Sequence, residues 1–248
     1  ATPLSTTLDS IGPLANSVAC CARTDAVMAG EPAAVPPAMP VSLLRLGVPQ
    51  TIMLDDLDPE VAAAFERACK ALSRQGARIV DLPLAELGEY AAINANGGFS
   101  PPEAYTWHAD LIARRGADYD PRVRLRIERG GATSATDYVR LCWQRADFID
   151  RIAARTAEFD ALIMPTVPLV APPIAAFASD EEYWRLNGRI LRNTSIVNFL
   201  DGCAVTLPIQ APGRAPVGLM AAGPRGADRQ ILSAALGIEA ALERERNR

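Results

Sequence analysis

Residues 43–83 constrain the fold most, because they contain two short apolar runs separated by one amphipathic helical pattern. The runs are "LLRLGVP" and "ARIVDLP", and "DPEVAAAFERACKALSRQG" lies between them. Asp58 is predicted to be the N-cap of the helix, with Pro59 in its first position and Gly76 at its C-terminal cap. A strand, a helix and a strand in this order predict two parallel strands joined by a right-handed crossover.

The rest of the chain alternates long helical patterns with short apolar strands. Apolar spacing predicts a helix over residues 14–28, a polar helical region over 86–131 and the longest helix over 134–159. Strands are predicted at "DALIMPTVP", "CAVTLPI" and "PVGLMAAG", followed by a closing helix over 227–248. Short buried strands among long helices indicate an α/β layered fold.

Charge and cysteine content exclude several classes of partner. The 248 residues have 29 acidic and 25 basic side chains and a net charge of −4, so they lack the basic excess that binding to a phosphate backbone requires. No apolar run reaches the length of a membrane span. Most of the five cysteines have apolar surroundings, which favours a reducing compartment. We therefore expect a cytoplasmic protein that binds neither nucleic acid nor membranes.

No side chain of the sequence is a credible base for a hydroxyl nucleophile. His108 is the only histidine, and we interpret it as a hydrogen-bonded surface or interface side chain. Lys70 is the only lysine, and it falls about 180° from Val61 on the helical wheel, which places it toward solvent. Cys203 stands at the start of a strand and is interpreted as a small buried residue, with a thiol nucleophile as the remote alternative.

Cofactor and metal motifs are also missing from the sequence. No GxGxxG, GxxxxGK[ST], HExxH or CxxC pattern occurs, so we expect no bound nucleotide and no protein-bound zinc. The acids of "LDDLD" at residues 54–58 lie where a strand leads into a capped helix. Acids are common near a helix N-terminus because their negative charge interacts favourably with the helix dipole, so we do not interpret these acids as a metal site.

Four stretches, in this order, resemble the C-terminal half of the amidase signature family, the Ser-cisSer-Lys amide hydrolases. They are "PLSTTLDSIGPLANSV", "FDALIMPTVPLVAPPI", "RNTSIVNFLDGCAVTLPI" and "PVGLMAAG" followed by the closing helix. The resemblance covers essentially the whole chain and implies a layered mixed β-sheet flanked by helices. It also implies that residues 1–248 are the C-terminal portion of a single domain, in which residues 86–158 form a helical section that covers the substrate.

The resemblance implies a hydrolase of carboxamides or related C–N bonds that works without a cofactor. In the family a buried lysine deprotonates a bridging serine, which activates the nucleophilic serine, and the motifs of all three lie before the stretch that opens this chain. None of these motifs occurs here, so no catalytic residue is assigned to these 248 residues. The stretch that contains the hydroxyl residues Thr2, Ser5, Thr6 and Thr7 resembles the family's loop downstream of the nucleophile. The expected partners are a small amide substrate and an N-terminal catalytic half of the same protein.

By the same resemblance, five residues are candidate substrate-binding side chains. They are Tyr105, Arg126, Asn193, Thr194 and Asn198. An inward Arg126 would hold a substrate carboxylate through a bidentate pair, whereas most arginines of "PRVRLRIER" are expected to be solvated or paired with acids. Tyr105 is equally consistent with a core position. Asn193 and Asn198 are equally consistent with satisfying backbone groups beside a buried strand.

Departures from the family pattern leave the substrate class and two other functions open. Cys20 stands where the family usually has an acid, and Gly202–Cys203 replace a pair that is usually Leu-Pro or similar. Within the same fold, the chain could be the glutamine-hydrolysing subunit of a tRNA-dependent amidotransferase, which would need partner subunits. A third reading is a non-catalytic small-molecule-binding remnant of the fold. If half of the sheet is missing, open strand edges would favour self-association, so a homo-oligomer also stays open.

Overall fold

The computed structural model describes residues 2–246 and contains one five-stranded sheet. The strands are β1 (Arg45–Pro49), β2 (Arg78–Leu82), β3 (Ala161–Pro165), β4 (Cys203–Pro208) and β5 (Gly218–Gly223). The α-helices are α1 (Val18–Met28), α2 (Pro59–Arg74), α3 (Tyr90–Ile93), α4 (Ser100–Arg115), α5 (Pro121–Arg129), α6 (Ala135–Thr156), α7 (Asp180–Phe199) and α8 (Asp228–Arg246). None of the helices in this described range combines the length and the apolar content that a membrane span requires.

The sheet is mixed and has the strand order β2-β1-β3-β5-β4. β1 pairs in parallel with β2, with Arg45 opposite Arg78, and in parallel with β3 on its other side. β5 runs antiparallel to both β3 and β4. The predicted parallel pairing of the strands that flank α2 is therefore confirmed. β2 and β4 form the two edges, and β4 exposes Ala204 and Thr206; self-association through an open edge stays a prediction.

Apolar side chains between one face of the sheet and helices α1, α2 and α8 form the main core. The contributing residues on β1, β3 and β5 are spaced two apart, which places them on the same face of the sheet. Burying each large aliphatic side chain stabilises the fold by about 2 kcal/mol. Members of this core with almost no exposure are Leu46, Leu72, Ile163, Leu219, Ala221 and Ile238.

Helix α2 begins and ends close to its predicted positions, but its N-terminal acid has another role. Asp58 precedes Pro59 as predicted, yet its carboxylate makes no hydrogen bond to the N–H groups of the helix. Its Oδ2 accepts from the N–H of Val170 at 3.1 Å, and its Oδ1 pairs with Arg189 at 3.2 Å. Asp58 is thus the N-cap residue as predicted, but these two long-range donors, and not the helix, take its carboxylate. Gly76, with φ of +99°, follows the helix in the left-handed conformation that favours glycine.

Helix α7 was not predicted from the sequence. Ser179 caps it by accepting a hydrogen bond from the N–H of Glu182 at 3.2 Å, and three acids in the first turn complement the helix dipole. Its inward face continues from Leu186 through Arg189 to Asn193, so polar residues stand where apolar ones are typical. The apolar stripe is interrupted, and periodicity therefore does not reveal the helix.

The described residues divide into two compact units. The helical unit comprises the residues up to Ile11 together with Gly88–Arg151, and it holds α3, α4, α5 and most of α6. The sheet unit comprises Gly12–Leu87 and the residues from Ile152 onward, and it holds the whole sheet. Buried side chains of the helical unit include Phe99, Ala104, Ile127, Leu141 and Phe148. The role of residues 86–158 as a substrate-covering section stays a prediction.

Gly237 of α8 lies where the chain before β1 passes along the helix. A Cβ at this position would come within 1.9 Å of the carbonyl oxygen of Met39. The N–H of Met39 donates to the carbonyl oxygen of Ser233 on the same helix at 3.0 Å, which fixes this close approach. Gly188 in α7 is also helical, but nothing lies within 4 Å of a Cβ placed there.

We expect Gly237→Ala to lower the free energy of unfolding by about 2 kcal/mol, because the backbone of Met39 must move to admit the methyl group. Gly188→Ala is the matched control, and its better helix propensity should raise the free energy of unfolding by about 1 kcal/mol. Urea unfolding followed by far-UV circular dichroism measures both values. Equal stability of the two variants would contradict the close approach at Gly237.

Candidate functional site

A buried carboxylate holds the N-terminal segment within the helical unit. Glu103 lies in the first turn of α4 and is 8% exposed. Its Oε2 accepts hydrogen bonds from the hydroxyl of Ser5 and from the N–H of Thr7, the latter at 3.0 Å. Its Oε1 accepts from the hydroxyl of Thr7 and from that of Tyr138, the latter at 2.6 Å. Each carboxylate oxygen therefore has two donors within the protein.

This environment lowers the pKa of Glu103. Burial by itself would raise the pKa, but the hydrogen bonds donated by Ser5, Thr7 and Tyr138 favour the ionised form and bring the pKa below its ordinary value of 4.5. A carboxylate whose pKa is lowered accepts a proton less readily, so Glu103 is a poor base for a hydroxyl group. Ser5 and Thr7 therefore act as hydrogen-bond donors in the fold, and neither is an activated nucleophile.

His108 holds the same segment further along α4. Its Nε2 lies 2.9 Å from the carbonyl oxygen of Pro3, which can only accept, so Nε2 carries the proton of this hydrogen bond. Its Nδ1 lies 2.8 Å from the hydroxyl oxygen of Tyr119. The expected hydrogen bonding is confirmed; of the two expected positions, surface or interface, the surface is wrong because the side chain is buried. Both ring nitrogens are engaged, so the imidazole is not a free base.

A cavity of about 500 Å³ lies beside this cluster in the helical unit. Glu103 and Tyr138 form part of its wall, and Tyr105 borders it from α4. The Tyr105 ring lies so close to the backbone of Gly131 that a Cβ there would be 2.9 Å from Cζ of the ring. The lining thus combines aromatic surface with aliphatic and hydroxyl-bearing residues, among them Pro102, Thr106, Thr133, Ser134 and Val139.

Two of the five candidate substrate-binding residues lie in the helical unit. Tyr105 borders the cavity and is 37% exposed. Arg126 lies on the exposed side of α5 and does not belong to the lining of this cavity. Contact with a substrate stays a prediction for both residues.

The other three candidates lie on α7 in the sheet unit, where Asn193 has no exposed surface. Its Nδ2 donates to the carbonyl oxygens of Met53 at 3.1 Å and of Pro165 at 2.7 Å. Its Oδ1 accepts from Nε of Arg192 at 3.0 Å. The carboxamide therefore satisfies backbone groups, one of them at the end of β3, as the alternative interpretation of this residue holds.

Thr194 and Asn198 lie one turn apart on the same side of α7, and both are half-buried. The hydroxyl of Thr194 donates to the carbonyl oxygen of Leu191 at 3.1 Å within the helix. The structure thus brings three candidates onto neighbouring turns of one helix, while the other two belong to the helical unit. Contact of Thr194 and Asn198 with a substrate stays a prediction.

Two further side chains have reactive groups, and neither is activated. Lys70 faces solvent as predicted, with its side chain 63% exposed and its Nζ 2.5 Å from a carboxylate oxygen of Glu66. Burial, assisted by the charge of Asp228, raises the pKa of the Cys203 thiol to about 11, so the thiol is protonated at neutral pH. This opposes the thiol-nucleophile alternative. Within residues 2–246, no three or more His, Cys, Asp and Glu side chains are grouped as metal ligands would be.

Comparison with known proteins identifies the family of this chain. The profile of the Amidase family matches residues 1–232. The chain belongs to the amidase family. It is 34% identical over 247 residues to the 2-amino-5-chloromuconic acid deaminase of Comamonas testosteroni, covering 97% of this chain and 53% of the relative. It is 28% identical over 270 residues to the indoleacetamide hydrolase of Rhizobium radiobacter, covering 97% and 55%.

The fold is that of a solved amidase. An amidase crystal structure matches with a TM-score of 0.80 and 25% sequence identity, covering 96% of this chain and 54% of the amidase. The four-motif resemblance and the layered mixed α/β fold are therefore confirmed. The chain spans about half the length of the curated relatives that it matches.

Glu103 was not predicted from the sequence. Its partners Ser5 and Thr7 lie 98 and 96 residues away along the chain. Locally it is an acid in the first turn of a helix that starts with prolines, where an acid is common without any special role. The sequence gives no local signal for this role, because the donors come from distant parts of the chain.

We expect Asn193→Ala to lower the free energy of unfolding by about 3 kcal/mol, because it leaves the buried carbonyl groups of Met53 and Pro165 without this donor. Thr194→Val on the next position removes only a hydrogen bond within the helix and should change the free energy of unfolding by less than about 1 kcal/mol. Chemical unfolding of both variants gives the comparison. If Asn193→Ala were as stable as Thr194→Val, the two carbonyl groups would not depend on this carboxamide.

Proposed function

We propose that the chain is the substrate-side half of an amide hydrolase that cleaves a C–N bond of a small molecule. The family match over residues 1–232 and the similarity to an indoleacetamide hydrolase support this reaction class. In this proposal the catalytic lysine and serines come from a segment of the same protein outside these 248 residues. The sheet unit completes the sheet of that catalytic half, and the helical unit selects the substrate.

The observation that carries the proposal is that an amidase fold is combined, within residues 2–246, with a lysine, a histidine and an N-terminal hydroxyl cluster that do not form a nucleophile with its base. Lys70 is exposed and paired with Glu66, and both ring nitrogens of His108 are engaged. Ser5 and Thr7 donate to a carboxylate whose pKa is lowered. Amide cleavage requires a base that takes a proton from the attacking group, so the proposed catalytic half must supply it.

The substrate class is proposed from the relatives and from the cavity of the helical unit. The relatives are named for an indoleacetamide and for an amino-substituted chloromuconic acid, both of which contain an unsaturated group. Tyr105 and Tyr138 provide aromatic surface at the cavity wall, which suits a flat unsaturated group. We therefore propose a small amide, or a related C–N compound, that carries such a group.

A cytoplasmic location is part of the proposal. Cys20, Cys21, Cys69, Cys142 and Cys203 are free thiols. Reduced cysteines are typical of a cytoplasmic protein, because that compartment keeps thiols from forming disulfides. This supports the location expected from composition.

The proposal is tested by comparing the 248 residues alone with the longest natural chain that contains them and an upstream segment. Release of ammonia is measured with indoleacetamide, glutamine and an amino-substituted muconic acid. The longer chain is expected to release ammonia from at least one compound, and the 248 residues from none. Turnover by the 248 residues alone would overturn the proposal, and inactivity of the longer chain would favour the non-catalytic alternative. Glutamine turnover that needs partner subunits would favour the amidotransferase alternative.

Tyr105→Ala in the longer chain is expected to raise KM about 10-fold, because it removes an aromatic wall of the cavity. Trp107→Ala is the matched control, since Trp107 lies on the same helix, is 59% exposed and does not line the cavity. This control should keep KM within about 2-fold of the wild-type value. Steady-state kinetics with the substrate found above measures both. Indistinguishable KM values for the two variants would remove Tyr105 from the proposed site.

A further inference from the structure

The carboxylate of Glu103 joins three parts of the helical unit that are distant in sequence. Ser5 and Thr7 belong to the N-terminal segment, Glu103 to α4 and Tyr138 to α6. Each Oε atom accepts two hydrogen bonds, so the usual accepting positions of the carboxylate are occupied by protein donors. A group in this state does not bind a substrate hydrogen or take a proton. Its effect is to hold its four donors in one arrangement.

Alternate residues of the N-terminal segment are attached to α4. His108 holds the carbonyl group of Pro3. Glu103 holds the hydroxyl of Ser5, together with both the N–H and the hydroxyl of Thr7. The carbonyl oxygen of Ser5 also closes a turn by accepting from the backbone N–H groups of the two residues after Thr7. The segment from Pro3 to Thr7 is thus fixed on α4 at three successive points.

The same helix also forms the wall of the cavity. Glu103 itself lines the cavity, and Tyr105 follows it two residues later. The segment of Ser5 and Thr7 resembles the family's loop downstream of the nucleophile, so in the proposed enzyme it connects the helical unit to the catalytic half. Glu103 therefore attaches Ser5 and Thr7 of this connection to the cavity wall, and His108 attaches Pro3 to the same helix.

We infer that Glu103 is a positioning residue for the proposed amide hydrolysis. It fixes the Ser5–Thr7 connection on α4. The catalytic groups of the upstream half, which this connection joins to the helical unit, then keep a productive geometry relative to the substrate in the cavity. The inference rests on the proposed function. A misplacement of about 1 Å at reacting groups costs about 100-fold in rate, so loss of the carboxylate should lower kcat far more than it raises KM.

The test uses variants of the longer chain that carries the upstream segment. Glu103→Ala removes all four hydrogen bonds and is expected to lower kcat about 100-fold, with KM within about 3-fold of the wild-type value. Glu103→Gln keeps an acceptor oxygen for the N–H of Thr7, and its kcat should fall only about 10-fold. Leu141→Ala truncates a buried side chain of α6 and controls for lost stability, and its kcat should stay within about 2-fold.

Hydrogen exchange at Thr7 gives a readout that does not depend on activity. The N–H of Thr7 donates to Glu103, so its exchange should be at least about 10-fold faster in Glu103→Ala than in the destabilised control Leu141→Ala. An unchanged Thr7 rate in Glu103→Ala, a wild-type kcat in that variant, or an equal loss of kcat in Leu141→Ala overturns the positioning role. An inactive wild-type longer chain overturns the proposed function instead, and the Thr7 rate then decides separately whether Glu103 anchors the segment.

Discussion

The stability of both units depends on hydrogen-bond partners for the polar groups that folding removes from water. A buried polar group left without a partner costs about 1–3 kcal/mol, which is a large part of the stability of a folded protein. In the sheet unit, the carboxamide of Asn193 serves two carbonyl groups that are far apart in sequence. In the helical unit, the carboxylate of Glu103 serves four donors. Each side chain therefore fixes several segments of its own unit at once, and in the helical unit Glu103 also lines the cavity.

Elements whose limits are set by neighbouring residues could be predicted from the sequence. The pair of strands around α2 was predicted because the apolar runs, Pro59 and Gly76 all lie within the motif itself. The closing helix and the three other strands were predicted for the same reason. α7 was not, because Arg189 and Asn193 occupy inward positions and find their partners in other elements. Periodicity detects apolar faces, whereas a face that is buried through hydrogen bonds leaves no such pattern.

The candidate site was less predictable because its contacts join distant parts of the chain. Outside the site, Asp58 shows the same effect, because it precedes a helix as a local cap would but its carboxylate accepts from an N–H group 112 residues away. Glu103 looks like an ordinary first-turn acid, but its donors Ser5 and Thr7 lie almost 100 residues away. The family resemblance led to Tyr105 and Asn193, yet only the structure shows that one borders a cavity and the other is occupied by backbone groups. The structure also explains the hydroxyl-rich start of the chain, because the hydroxyl groups of Ser5 and Thr7 donate hydrogen bonds to the carboxylate of Glu103.

The presence of only one lysine among these 248 residues has a practical consequence for experiments on them. Lys70 lies on the outward side of α2 in the sheet unit, while all other basic side chains among the 25 are arginines, whose guanidinium groups stay protonated. Its ion pair with Glu66 is an exposed pair of the kind that contributes little to folding. Within these 248 residues, an acylating dye, crosslinker or resin therefore has one lysine side chain to react with, in the unit that does not hold the described cavity. Fluorescent labelling or immobilisation at this amine would leave the hydrogen bonds of Glu103 and Asn193 in place.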